Sequence, residues 1–103
     1  MIDFQNSRFV LADVKATALA GRTFADHMVQ QWIEGKLDST LASMGKFWLT
    51  ERQSEVIDKC LQLFGGYGYM NEYPIARMFA DARVARIYGG ANEIQRELVG
   101  RSL

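Results

Sequence analysis

FQNSRFVLADVKATALAGRTFADHMVQQWIEG (residues 4–35) is the stretch that decides the fold. Phe4, Leu11, Val14, Ala18, Gly21, Ala25, Met28 and Trp32 fall at steps of seven, three and four, which is one face of a helix. The face holds for about eight turns, so the spacing predicts a rod of roughly 45 Å at about 1.5 Å per residue. Ala18, Gly21 and Ala25 are small, and a second helix is expected to come close there. The rod should stop near Glu34, with Gly35 as a left-handed cap.

Downstream, Asp38 or Ser39 can cap a second helix, because a short side-chain oxygen accepts an orphan N–H. Leu41, Met44, Gly45, Trp48, Leu49, Val56, Cys60, Leu61 and Leu63 give this helix an apolar stripe to about Phe64. Glu51, Gln53 and Glu55 interrupt it, as a solvated turn or as a polar spot at a subunit contact. Gly65-Gly66-Tyr67-Gly68 then stops the helix. Pro74 suits the first turn of a third helix running to about Arg86. Tyr88-Gly89-Gly90 breaks that helix. A short last one starts near Asn92, with Ile94, Leu98 and Val99 facing inward, weakened by Gly100 and a polar end. No segment alternates as a strand would. The expected fold is all-α: a bundle of two long antiparallel helices and two short C-terminal ones.

Composition bounds the function. With 103 residues the chain is one domain's worth of protein, and 49% hydrophobic residues are too many for a disordered segment. Twelve basic residues against twelve acidic ones argue against a nucleic-acid binder. No apolar run approaches the ~18 residues of a membrane span. Met1-Ile2-Asp3-Phe4 shows no basic region and no apolar region of a secretory leader. One cysteine, Cys60, excludes a disulfide framework and reads as an inert member of the stripe. One histidine, His27, has no partner at metal-ligand spacing and reads as a surface or half-buried side chain. Two Trp, six Phe, four Tyr and five Met are a heavy apolar load for so short a chain, read as core or as partner surface.

The glycine clusters carry what chemistry the residues offer. Gly65-Gly66-Tyr67-Gly68 follows a helix rather than a strand, so it is not a dinucleotide fingerprint, and it lacks the Lys and Ser/Thr of a P-loop. It reads as a helix cap and turn, or as a backbone nest for an anion. Gly89-Gly90 ahead of a helix N-terminus invites the same two readings.

Four separated blocks are more specific. Gln62-Leu63-Phe64-Gly65-Gly66-Tyr67-Gly68-Tyr69, Glu72-Tyr73-Pro74, Asp81-Ala82-Arg83 and Ile87-Tyr88-Gly89-Gly90-Ala91-Asn92-Glu93-Ile94 resemble, in order and spacing, the C-terminal signature of the acyl-CoA dehydrogenases. Phe4-Gln5 and Leu11-Ala12-Asp13 resemble the start of the long helix that precedes that signature. The resemblance spans essentially residues 1–103, as part of that family's C-terminal helical domain without its first helix.

The resemblance implies flavoproteins that introduce a double bond between Cα and Cβ of an acyl-CoA thioester and pass electrons to an electron-transferring flavoprotein. It implies FAD as cofactor and a homo-oligomer. It also implies a bacterial cytoplasm or mitochondrial matrix as the compartment. Gln5 matches a cofactor-contacting glutamine. Gln62, Leu63, Phe64, Gly65 and Gly66 match the segment that meets the adenosine and pyrophosphate of FAD across a subunit interface. Ala91, Asn92 and Glu93 match the tripeptide beside the flavin. Tyr88, Gly89 and Gly90 match the acyl-thioester side of the substrate site.

Two positions depart from the common pattern. Gly89 stands where many members carry the catalytic glutamate, as in the long-chain and isovaleryl branches, whose base comes from an earlier helix that would precede Met1. The family's flavin-contacting arginine would precede Met1 as well. Ala91 stands where threonine is common, which removes a hydroxyl hydrogen bond worth roughly 1 kcal/mol. Glu93 is not given the base role, since on a helix it points one turn away from Gly89. No catalytic residue and no metal ligand is expected in this chain. It is expected to be the inactive C-terminal portion of such an enzyme. The alternative is a free-standing, non-catalytic interaction module on the same fold.

Overall fold

The computed structural model describes residues 4–103. Met1, Ile2 and Asp3, on which most of the N-terminal leader reading rests, lie outside them. Four helices follow in order: α1 (Gln5–Ile33), α2 (Ser39–Phe64), α3 (Pro74–Ala82) and α4 (Asn92–Arg101). Short 3₁₀ segments, Gly65–Tyr69 and Arg83–Arg86, link α2 to α3 and extend α3. The described residues contain no strand. They extend over 45 × 24 × 24 Å, the length of α1.

α1 stops because Gly35, at φ +70°, turns the chain left-handed, and the N–H of Lys36 bonds Gln31 O at 2.8 Å. Asp38, not Ser39, caps α2: its Oδ1 accepts from the Leu41 N–H at 2.7 Å. α2 runs back along α1, so Phe24 stacks on Trp48 with centroids 5.8 Å apart, and Gly21 lies beside Leu49.

The closest approach is made from the other side than the small-residue stripe suggests. A Cβ on Gly45 of α2 would overlap the Met28 sulfur, whereas Ala18 of α1 is exposed. Phe4 and Trp32, assigned to the ends of the apolar face, are 69% and 71% exposed. The contacts between the two helices include Phe24 with Trp48, Gly21 with Leu49 and Met28 with Gly45, and Ser7 near the start of α1 is buried as well.

Pro74 occupies the first turn of α3, as expected. The residues expected to extend that helix tighten instead into the Arg83–Arg86 segment, which presents buried Ala85 toward the neighbouring elements. α4 is rotated relative to its expected register. Ile94 and Leu98 face solvent, while Asn92, Gln95 and Val99 face inward. Asn92 lies on the inward side and is held there by the polar contacts described below. Gly100 does not end α4, whose last turn is braced by Arg101 Nε on Glu97 Oε1 at 2.8 Å.

Among the described residues the buried apolar side chains are Ile57, Ala76 and Ala85. Large apolar side chains such as Leu19, Ile33 and Tyr69 are left more than half exposed. Exposed apolar side chains mark an interaction surface where they gather into a contiguous patch.

Candidate functional site

The last glycine pair sits at the start of α4. Gly89 and Gly90 both have positive φ, +64° and +87°, a conformation that costs any residue with a Cβ. Side chains from two helices hold their carbonyls. Lys46 Nζ donates to Gly90 O at 2.8 Å and to Asn92 Oδ1 at 2.6 Å. Gln95 Nε2 donates to Gly89 O at 3.1 Å and to Gly90 O at 3.4 Å. A Cβ on Gly90 would lie 2.6 Å from Gln95 Nε2, whereas nothing lies within 4 Å of a Cβ on Gly89. Gly90 therefore faces the protein and Gly89 faces open space.

Asn92 anchors the arrangement and is only 2% exposed. Its Nδ2 donates to Thr50 Oγ1 and to Glu51 Oε2, each at 3.0 Å, and approaches Phe47 O at 3.3 Å. An amide has two hydrogens, so one is shared between acceptors. Thr50 Oγ1 gives its own hydrogen to Lys46 O at 2.6 Å. The Asn92 side chain is thus spent on the fold, and any ligand at this tripeptide meets its backbone or its neighbours.

Glu51 carries the outer part of the network. Arg96 Nη2 donates to its Oε1 at 2.5 Å, and the Arg96 guanidinium lies 4.6 Å from the centre of the Phe47 ring. The Arg96 hydrogen bond, then the Asn92 amide and the charges of Arg96 and Arg52, hold the Glu51 carboxyl below its ordinary range against an opposing effect of burial. Arg96 is raised in turn, chiefly by Glu51. Glu51 is half-buried and pairs within the chain, while Gln53 and Glu55 of the same polar break are exposed. A carboxylate so stabilised is a poor proton acceptor.

Beside this turn Tyr88 lines a cleft of about 300 Å³ with Gln53, Met78 and Ala85. Exposed Glu93 lines a smaller one, about 180 Å³, with Glu51, Arg83, Arg86 and Arg96. Ala91 is half-buried at the α4 N-terminus.

The other group of expected residues lies elsewhere. Gln62, Phe64, Gly65 and Gly66 are exposed at the C-terminal end of α2, Leu63 is half-buried, and nothing stands within 4 Å of a Cβ on Gly65 or Gly66. From Lys46, which holds the Gly89–Gly90 turn, to Gly65 is roughly 19 residues of helix, or about 28 Å. Gln5 is exposed in the first turn of α1. One chain therefore brings Tyr88 to Glu93 together but keeps Gln62 to Gly66 apart from them.

Lys46, Thr50, Glu51, Gln95 and Arg96 were not anticipated. The only trace of them in the sequence is the polar break at Glu51 in an otherwise apolar stripe. His27 is exposed, and Cys60 is a half-buried free thiol. Among the described residues no three His, Cys, Asp or Glu side chains gather as a metal ion would need, and no helix is long and apolar enough to cross a membrane.

Known proteins share both the sequence and the geometry. The family description "Acyl-CoA dehydrogenase, C-terminal domain" matches residues 1–103. The mitochondrial long-chain specific acyl-CoA dehydrogenase of Rattus norvegicus is 46% identical over 99 residues, which cover 96% of this chain and 23% of that protein. The acyl-CoA dehydrogenase of Geobacillus kaustophilus superposes with a TM-score of 0.94 at 40% identity, over 98% of this chain and 27% of that one. A chain in the structure of the electron transferring flavoprotein of Acidaminococcus fermentans superposes at 0.92 with 34% identity, again over 98% and 27%. The chain spans about a quarter of the length of the relatives it matches. With every residue from 1 to 103 inside the match, the chain belongs to the acyl-CoA dehydrogenase family, as its C-terminal helical domain.

Proposed function

We propose that this chain serves as the C-terminal portion of an FAD-dependent acyl-CoA dehydrogenase, an oxidoreductase that forms the α,β double bond of an acyl-CoA thioester. The observation that carries the proposal is the Gly89–Gly90 turn, held from behind by Lys46 and Gln95 and open in front of Gly89. A thioester or a planar ring can approach a backbone that presents no Cβ. Tyr88 and Gly89 would border the acyl-thioester side, with Gly90 fixing the turn behind them.

The open faces of Gly65 and Gly66 beside exposed Gln62 and Phe64 suit the close approach of a cofactor's phosphates and adenosine. Ala91, Glu93 and the Asn92 backbone would border the flavin, and Gln5 would add a contact. FAD, when bound, supplies the acceptor for the β hydrogen as hydride. The separation of about 28 Å along α2 between the two glycine turns favours a site shared between copies of the chain. The exposed apolar faces favour the same assembly. An electron-transferring flavoprotein would take the electrons, in a bacterial cytoplasm or a mitochondrial matrix.

The α proton must go to a base, and neither Gly89 nor the paired Glu51 is suited to take it. The 103-residue chain alone should therefore show no turnover. Reconstitution tests the proposal: the N-terminal three quarters or so of the rat enzyme is joined to this chain. Flavin absorbance and palmitoyl-CoA-dependent reduction of a redox dye are expected. A folded hybrid with neither would overturn the proposal, as would robust turnover by the 103-residue chain alone. The absence of a base also favours a second reading, a free-standing interaction module. A stop codon directly upstream of Met1 would support the module, and an in-frame continuation would support the enzyme.

A further inference from the structure

We infer that Lys46 is a positioning residue for the Gly89–Gly90 turn. Among the described residues its ammonium group is the one charged donor that ties the turn to α2, bonding Gly90 O and Asn92 Oδ1 together. Gly90 O is reached only by Lys46 and Gln95 among the described residues. Among the described residues no backbone hydrogen bond is made by Gly89 or Gly90: the Tyr88 N–H bonds Val84 O at 3.0 Å before the turn, and the Ile94 N–H bonds Ala91 O at 2.9 Å after it. Two consecutive positive-φ glycines without such bonds have many accessible conformations. Lys46 selects one by fixing the carbonyl of Gly90 against the side chain of Asn92, which is itself immobilised by Thr50 and Glu51. The result is directional. With the Gly90 carbonyl drawn toward α2 and a Cβ position on Gly90 pressed against Gln95, the Gly89 face is left outward.

Gln95 alone does not fix this arrangement. Its amide spans both carbonyls from within α4, so it moves with the turn, whereas Lys46 comes from a different helix 44 residues away in sequence. A lysine fits the role because one ammonium carries three hydrogens and can serve both acceptors at once. Its alkyl stem reaches the turn from half-buried surface. The importance of this orientation for substrate rests on the proposed function; the clamp itself does not.

The test reads the clamp with no ligand present. Backbone 15N order parameters are measured by NMR in the 103-residue chain, in Lys46→Met and in Lys46→Arg, with circular dichroism to check helix content. In Lys46→Met the order parameters of Gly89 and Gly90 should fall from about 0.85, the rigid-backbone range, to below about 0.6, while those of Gly65 and Gly66 are unchanged. Lys46→Arg should restore most of the order, because a guanidinium can still serve both acceptors. Unchanged order parameters at Gly89 and Gly90, or an equal fall at Gly65 and Gly66, would overturn the inference. In the reconstituted hybrid, Lys46→Met should lower kcat/KM for palmitoyl-CoA about tenfold, with recovery in Lys46→Arg. A loosened Gly89–Gly90 backbone beside unaltered kcat/KM would confine Lys46 to a structural role and overturn its part in positioning. A clamp that passes in a hybrid that binds no flavin would instead sink the functional proposal and leave the clamp standing.

Discussion

The two glycine turns of this domain are built in opposite ways. At Gly65–Tyr69 the turn is local. Gly65 bonds back to Gln62 O, Met70 to Tyr67 O at 3.1 Å, and Tyr73 packs against Phe64 and Tyr67. At Gly89–Gly90 the turn is held by side chains of α2 and α4, one of them 44 residues away. A locally bonded turn forms with its helix, whereas a turn held by distant side chains forms only when the helices have docked. The second kind is therefore the one that mutations elsewhere can reach.

The largest expected effect falls on the anchor of the second turn. Asn92→Ala would leave Lys46, Thr50 and Glu51 without a shared partner in a site that is 2% exposed. A loss of about 3 kcal/mol is expected, measured by urea unfolding, with most of it traced to the α2–α4 contact. An effect below about 1 kcal/mol would mean that water replaces the network readily. Next is Gly68→Ala in the local turn. Its Cβ would lie 2.7 Å from the Leu61 carbonyl oxygen, which cannot move without disturbing α2, so a cost of about 2 kcal/mol is expected.

A smaller contrast lies within the second turn. Gly89→Ala and Gly90→Ala share the strain of positive φ, about 1 kcal/mol each. Gly90→Ala must also displace Gln95, while Gly89→Ala meets nothing within 4 Å. Gly90→Ala should therefore be the more destabilising in a thermal scan, and a reversed order would contradict the outward face assigned to Gly89. The smallest effect is a pH dependence. The folded-state pKa of Glu51 is lowered, so its contribution is present above the ordinary glutamate value of 4.5 and fades as pH falls through the lower folded value. Arg96 is about half exposed, so solvent screens part of the pairing. Glu51→Gln should flatten the acid limb of the stability profile and change little near neutrality beyond the lost charge pair.

Helices were legible because their signals are local. The periodicity of α1, Gly35 as its stop, Asp38 as a cap of α2 and Pro74 at the start of α3 each depend on residues within one or two turns. The register of α4 was not legible, because hydrophobicity alone puts Ile94 and Leu98 inward, and a polar contact with α2 outweighs it. The small-residue stripe was legible only in part: Gly21 does meet Leu49, but close approach depends on both helices, and Gly45 of α2 supplies the tightest point.

The sequence by itself determined an all-α chain with two glycine breaks, the family those breaks mark, and the absence of a carboxylate at Gly89. These rest on residue identity and short-range spacing. Only the tertiary structure decided that Asn92 turns inward, that Lys46 and Gln95 hold the second turn, and that the two glycine turns lie far apart along α2. Each of these depends on where distant side chains meet after the helices have packed, and no local pattern encodes such a meeting.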